Sequence, residues 1–110
     1  MPEPIPFESR RSSPTAVLYE GRADELDGSI FVVDVPPGKG PALHVHPYPE
    51  VFVVEEGSAT FTVGDEQVEA SAGQFLVVPR ETPHGFKNTG EGNLHVVSFH
   101  PSPEVVQTWL

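Results

Sequence analysis

Three histidines and one glutamate in this chain have the types and the spacing of metal ligands. His44, His46 and Glu50 lie within seven residues of one another, in the run GKGPALHVHPYPEVFVVEEG. Residues i and i+2 of a β-strand share one face, about 6–7 Å apart at the backbone, so two imidazoles can reach one ion. His84 comes from a later run, GQFLVVPRETPHGFKN. We predict that His44, His46, Glu50 and His84 converge on one metal ion.

The donor set restricts the cofactor to one divalent transition metal. Neutral imidazoles with one carboxylate suit Fe, Mn, Ni, Cu, Co or Zn, and the chain has no cysteine that could supply a thiolate. Four protein ligands on an octahedral ion leave two positions for water, dioxygen or a bidentate substrate. A His-x-His pair alone also occurs on strands that bind no metal, so the prediction depends on all four residues.

Short strands must position these side chains, because 13 prolines and 10 glycines interrupt brief apolar runs. This pattern predicts an all-β antiparallel sandwich or barrel in one domain over 15–100. Residues 1–14 read as a flexible arm, and 101–110 as a C-terminal tail with a short helix over 103–110. The predicted strands are 15–20, 29–35, 42–46, 50–56, 58–63, 66–70, 74–79, 83–87 and 93–100.

Strand alternation indicates which side chains could surround the site. Phe52, Phe61 and Phe86 are expected to face inward and to form an apolar substrate pocket around the polar centre. Tyr48, between two prolines beside the ligands, could orient a substrate or cover the mouth of the pocket, or simply pack at a bend. His100, just before a proline, could touch the pocket, but a packing or surface position is favoured.

Composition excludes several classes of partner. The formal net charge is -10 and the pI about 4.7, so no basic patch is available for nucleic acid or anionic membranes. No apolar run approaches the roughly 20 residues that span a bilayer. The N-terminus lacks the apolar segment of a secretory signal, and a cytoplasmic location is therefore expected.

The two histidine-bearing segments resemble the two motifs of the cupin superfamily, G-x5-H-x-H-x3,4-E-x6-G and G-x5-P-x-G-x2-H-x3-N. One departure is Glu81, which stands where the second motif has its middle glycine. That carboxylate could lie near the pocket or belong to a solvated loop. The matching positions are Gly38, His44, His46, Glu50 and Gly57 in the first motif and Gly73, Pro79, His84 and Asn88 in the second.

The resemblance implies a double-stranded β-helix, or jelly-roll barrel, with His44, His46, Glu50 and His84 as metal ligands. It also implies a homodimer that would hide edge strands. The motifs specify the fold and the metal better than the reaction.

Three functions remain open at this point. The first is a dioxygenase-type oxidoreductase whose small substrate chelates through adjacent oxygens, as an enol, diol or diketone does, with Glu50 able to detach and act as a base. The second is a redox-neutral isomerase or lyase on the same metal. The third is a small-molecule binding protein without turnover. Dependence on dioxygen separates the first two.

Overall fold

Eleven short strands build two antiparallel sheets in the computed structural model, which describes residues 2–110. Two single-turn 3₁₀ helices, Phe7–Arg10 and Gly21–Asp24, complete the regular structure. No helix among the described residues has the length and apolar character needed to cross a membrane. The strands are β1 (Arg11–Ser13), β2 (Ala16–Glu20), β3 (Ser29–Val35), β4 (His44–Val45), β5 (Glu50–Glu56), β6 (Ser58–Val63), β7 (Glu66–Ser71), β8 (Gln74–Val78), β9 (His84–Asn88), β10 (Leu94–His100) and β11 (Thr108–Trp109).

The strand order separates the predicted ligands between the two sheets. One sheet has six strands in the order β1-β2-β3-β10-β5-β8, and the other has five in the order β11-β4-β9-β6-β7. His44 and His84 therefore come from neighbouring strands of the smaller sheet, where they are direct partners. Glu50 is the first residue of β5 in the larger sheet. The site consequently lies between the two sheets and takes its ligands from both.

Period-two alternation fills the space between the sheets with apolar side chains, as the sequence predicts. On β5, Phe52 and Val54 are buried, while Val51 and Val53 are only partly covered. On β6, Ala59 and Phe61 are completely buried. Burial of this apolar surface is the main source of stability, at roughly 25 cal/mol per Å² removed from water. The all-β prediction is confirmed, and the core occupies one side of the metal-ligand cluster.

Both chain ends differ from the sequence prediction. The helix predicted over 103–110 is wrong, because Thr108–Trp109 instead form β11 and pair with β4. An eight-residue helix is too short to be stable alone, whereas the edge of β4 offers free backbone hydrogen-bonding groups. At the other end, Arg11–Ser13 pair with β2, so the sheet begins within the segment predicted as an arm.

The departure from the second motif has a structural explanation in the backbone of Glu81. This residue has φ +58°, in the left-handed region, so it occupies the conformation that a glycine adopts at no steric cost. Its N–H donates to the carbonyl of His46 at 2.8 Å, which ties the loop before β9 to the chain beyond β4. Its side chain is exposed. The carboxylate therefore belongs to a solvated loop. The contribution of Glu81 to the site comes from its backbone N–H, which holds the carbonyl of His46.

Replacing Glu81 by glycine should stabilise the protein. The left-handed conformation costs a residue with a Cβ about 1–2 kcal/mol, and the extra freedom of glycine in the unfolded chain offsets roughly half of that. We expect Glu81→Gly to raise the free energy of unfolding by up to about 1 kcal/mol in urea denaturation. Glu81→Ala is the matched control and should show no gain. Equal gains for both variants would assign the effect to the carboxylate instead.

Candidate metal centre

Four buried side chains converge between the two sheets. One potential ligand atom from each of His44, His46, Glu50 and His84 lies within 4.8 Å of the other three. His46 immediately follows β4, where Pro47 and Pro49 remove two backbone donors and the strand stops. The chain then turns across to the larger sheet and delivers Glu50. The structure thus brings together the four residues that the sequence predicts.

Backbone carbonyls orient the three imidazole rings. In each ring Nδ1 lies 2.8 Å from a carbonyl oxygen. A carbonyl can only accept, so each Nδ1 carries the hydrogen and each Nε2 is turned toward the centre. For His44, His46 and His84 the carbonyls belong, in that order, to Ala42, Val106 and Thr82.

The carboxylate of Glu50 is the negative centre of the cluster. Its Oε1 lies 3.0 Å from Nε2 of His84 and 3.1 Å from Nε2 of His46, and its Oε2 lies 3.0 Å from Nε2 of His100. Burial alone would raise the pKa of Glu50, but the close imidazole nitrogens of His100, His46 and His84 outweigh burial and hold that pKa far below its ordinary value. Glu50 is therefore ionised at neutral pH.

The histidines respond to the same carboxylate in different ways. Burial acts to lower the pKa of His84, but its hydrogen bonds with Glu50 and the Thr82 carbonyl raise the pKa above its usual value. For His44, burial is the largest effect and lowers the pKa, so this ring stays neutral. A proton on Nε2 of His84 thus occupies the position between imidazole and carboxylate that a metal ion would take.

Nε2 of His46, which has no hydrogen-bond partner, indicates whether the cluster suits a cation. Although this Nε2 is close to Glu50, the geometry is not that of a hydrogen bond, and the atom is buried without a partner. An unpartnered buried polar atom is costly. Three inward-facing imidazole nitrogens and one carboxylate are a donor set that suits a divalent transition metal. The residues present therefore fit the ion that the sequence predicts.

A cavity of about 730 Å³ reaches the cluster at His44 and Glu50. Its wall is largely apolar, with aromatic side chains from both sheets and from β11. Phe52 and Phe86, predicted as pocket residues, lie on this wall together with Phe31 and Trp109. The dimensions suit a small organic ligand whose polar end meets the cluster.

Two further predicted pocket residues lie elsewhere. Phe61 has no exposed surface and packs against Phe52 and Phe86 from inside the core, 4.9 and 5.0 Å between ring centroids. Tyr48 lies behind the cluster, where its ring stacks on His46 and its hydroxyl contacts His100. Phe61 can therefore shape the cavity only through the side chains in front of it.

The C-terminal tail and His100 are the site features that sequence reasoning missed. The tail supplies the Val106 carbonyl to His46, and the Trp109 ring packs 5.0 Å from that of His44. The sequence favours a packing or surface position for His100 over contact with the pocket, yet this residue is buried against Glu50. Alternation from Leu94 through Val96 would have placed His100 on the inner face of β10.

Comparison with known proteins identifies a family and several relatives. The family described as "Cupin domain" matches residues 31–100. Protein SchB of Streptomyces halstedii is 34% identical over 101 residues, which cover 90% of this chain and 72% of SchB. A protein named Polyketide synthase CurC, from Streptomyces cyaneus, is 38% identical over 68 residues, which cover 61% of this chain and 44% of that protein.

Solved structures support the fold. A mutant of Bacillus subtilis oxalate decarboxylase aligns with a TM-score of 0.83 at 20% identity, covering 94% of this chain and 31% of that chain. An oxalate oxidase in complex with glycolate aligns with a TM-score of 0.74 at 23% identity, covering 90% and 57%. A further structure, concerned with the Mn(II) centres of the B. subtilis decarboxylase, has a TM-score of 0.81 at 21% identity, covering 90% and 29%. This chain thus spans about a third of each decarboxylase chain.

Replacing Glu50 by glutamine should destabilise the metal-free protein, because three buried imidazoles lose their anionic partner. We expect a loss of about 1–3 kcal/mol in the free energy of unfolding, measured by urea denaturation after chelator treatment. The lowered pKa of Glu50 gives stability that is present above the unfolded value of 4.5 and is lost as pH falls. The raised pKa of His84 gives stability that is present below 6.5 and is lost as pH rises through the folded value.

The difference between wild type and Glu50→Gln should therefore be largest between pH 4.5 and 6.5, the ordinary pKa values of the two groups. It should shrink on either side of that window. A difference that does not change with pH would show that the variant acts through packing and not through the charge of Glu50.

Proposed function

The chain belongs to the cupin family, and from that premise we propose that it is a metal-dependent enzyme whose small substrate binds the metal through two adjacent oxygens. The observation that carries this proposal is the position of the ligand cluster at the end of a mostly apolar cavity. A buried polar centre in a concave apolar site is the usual character of a small-molecule site. The reaction we propose first is of the dioxygenase type.

The metal would be held by His44, His46, Glu50 and His84, which leave positions open toward the cavity. When bound, a divalent ion of this kind supplies Lewis acidity and, for Fe or Mn, access to one-electron chemistry with dioxygen. Mn is the first candidate, since the B. subtilis oxalate decarboxylase, which shares the fold, is described as having Mn(II) centres. Fe is the second, because it suits the same donor set. Cu, Co, Ni and Zn remain compatible with the donor set.

The cavity wall favours an organic substrate with an apolar body over a very small polar acid. Phe31, Phe52, Phe86 and Trp109 form flat apolar surfaces around the approach to the cluster, and such surfaces bind aromatic or polyene groups. The substrate class is therefore an enol, an adjacent diol or a β-diketone attached to an apolar ring or chain. The name of the relative CurC, a polyketide synthase, agrees with this class because polyketide chains contain β-diketone units.

We propose Glu50 as the proton acceptor. Its carboxylate is ionised and lies on the cavity wall as one of the four metal ligands. It would take a proton from a bound enol or diol after detaching from the ion, because its present contacts lower its pKa and make it a weak base. The same property supports a second candidate, a redox-neutral isomerase or lyase. An ionised base beside a chelated carbonyl is sufficient for enolisation and needs no oxidant.

Metal content provides the first test of the proposal. Wild-type protein purified without added metal or an affinity tag should contain about one transition metal per chain by elemental analysis. His46→Ala should lose most of it while the far-UV circular dichroism stays unchanged. His95→Ala is the matched control, because His95 is hydrogen-bonded to Asp34 away from the cluster, and it should retain full occupancy. Full occupancy in His46→Ala would contradict the ligand assignment.

Activity separates the candidate reactions. Aryl β-diketones and catechol-like diols should be supplied to metal-loaded protein, with dioxygen uptake followed by electrode and substrate loss by absorbance. Uptake that matches substrate loss supports the dioxygenase. Substrate loss that continues without dioxygen supports the isomerase or lyase. Tight binding without loss under both conditions would overturn the enzymatic proposal and leave a binding protein.

We further propose that the protein is a homodimer formed through the outer face of the six-stranded sheet. Eight apolar side chains lie there in two cross-strand rows on β3, β10, β5 and β8, and Phe75 is 76% exposed. Contiguous apolar patches on monomers rarely exceed a few hundred Å². The rows are Ile30, Phe99, Val51 and Val77, and Val32, Val97, Val53 and Phe75.

A second copy of this chain is the occupant that this surface favours. Its two rows are flat and apolar, and two such sheets can pack face to face at about 10 Å. The N-terminal segment extends the surface, since Ile5 and Phe7 line a shallow groove of about 210 Å³ with Ile30 and Val32.

Phe75→Glu should convert the dimer into a monomer in sedimentation velocity, because the interface would then bury a charge. Leu26→Glu is the matched control, since Leu26 is also exposed but lies outside the two rows, and it should stay dimeric. A wild-type protein that remains monomeric at high concentration would contradict the proposal.

A further inference from the structure

We propose that His100 is a positioning residue that holds one oxygen of Glu50 away from the metal, so that the carboxylate presents a single oxygen to the ion. This inference rests on the proposed metal site, and it concerns a residue outside both cupin motifs. His100 is the last residue of β10 and lies twelve positions beyond Asn88, where the second motif ends.

The two oxygens of Glu50 have different neighbours. Oε1 faces Nε2 of His46 and His84, which are two of the ligand atoms, whereas Oε2 faces Nε2 of His100 at 3.0 Å. His100 itself does not belong to the group whose ligand atoms all lie within 4.8 Å of one another. The geometry therefore places Oε1 on the metal side and Oε2 on the His100 side.

Tyr48 determines which nitrogen of His100 carries the hydrogen. The Tyr48 hydroxyl accepts the Val106 N–H at 3.1 Å and lies 2.8 Å from Nδ1 of His100. With the Val106 N–H bound to its oxygen, the phenol directs its own hydrogen to Nδ1. Burial raises the pKa of Tyr48, which keeps the phenol protonated. Nε2 of His100 then carries the hydrogen. It lies 3.0 Å from Oε2, but the geometry is not that of a hydrogen bond and the nitrogen is buried without a partner. In the proposed arrangement Nε2 donates to Oε2 once an ion fixes Oε1.

The burial of His100 indicates that a histidine is present here for more than filling space in the core. His100 is 1% exposed, and its ring packs edge-on against Phe31 at 5.4 Å and against His46 at 4.7 Å. Burying a polar ring costs free energy unless it is hydrogen-bonded, and an apolar residue would avoid this cost. A nitrogen 3.0 Å from a metal-binding carboxylate is placed for the kind of outer contact that fixes ligand orientation.

Co(II) binding tests this inference without depending on turnover. Trp109 is the only tryptophan in the chain, and its ring lies 5.0 Å from that of His44, so its fluorescence should be quenched as Co(II) binds. The visible d–d spectrum of Co(II) reports the number and geometry of its ligands.

Three variants are compared with wild type: His100→Leu removes the donor, His100→Gln supplies an amide donor, and Tyr48→Phe leaves the ring but removes the hydroxyl.

The expected result is a graded loss. His100→Leu should weaken Co(II) binding by about 10- to 100-fold and change the d–d spectrum, whereas His100→Gln should restore both to near wild type. Tyr48→Phe should give an intermediate shift. If His100→Leu does not fold, as judged by circular dichroism, Tyr48→Phe alone decides, because its ring packing is unchanged.

Two results would overturn the inference. One is wild-type affinity and spectrum in His100→Leu, or in Tyr48→Phe where that variant decides. The other is an equal loss in His100→Gln and His100→Leu, which would mean that the site needs the ring and not the donated hydrogen bond. Failure of the proposed function looks different, because wild-type protein would then bind no Co(II).

Discussion

The ionised carboxylate of Glu50, buried between two β-sheets, is the constraint on which the rest of the site depends. An isolated buried charge is costly, and proteins retain one only where it is paired and hydrogen-bonded. Here three imidazole nitrogens lie within 3.1 Å of its two oxygens. Each of those rings is in turn held through its other nitrogen, by a carbonyl or by a hydroxyl. The buried charge is thus surrounded by imidazole rings, and these rings are held by an outer layer of backbone carbonyls and the Tyr48 hydroxyl.

The outer layer explains why distant segments are part of one site. His46 is held by the Val106 carbonyl, sixty residues further along the chain, and the same tail residue donates to Tyr48. The tail therefore completes the site from the C-terminus, and β11 covers His44 with Trp109. Because the ligands come from both sheets, movement of one sheet against the other would separate Glu50 from His44 and His84. The geometry of the site consequently depends on how the two sheets pack against each other.

Two apolar surfaces of the larger sheet have different roles in this account. The inner face carries Phe31, Phe52 and the alternate residues of β10, and it forms the core and the cavity wall. The outer face carries the two apolar rows that we assign to a second copy of the chain. The alternation of a strand normally gives one apolar and one polar face. An apolar outer face is therefore unusual and indicates a binding partner. The next outward-facing pair along β3 and β10, Asp34 and His95, is polar and marks the edge of this apolar surface.

The sequence by itself determined the local features: the strands, their inner faces, and the four candidate ligands His44, His46, Glu50 and His84. These follow from short-range patterns, because alternation and the i, i+2 spacing act within a single strand. The tertiary structure decided the contacts of His100 with Glu50, of Val106 with His46, and of Trp109 with His44. Each joins residues fifty or more positions apart, and each exists because β10 lies beside β5 or β11 beside β4. Strand order depends on the packing of the whole chain, and no periodicity within a segment encodes it.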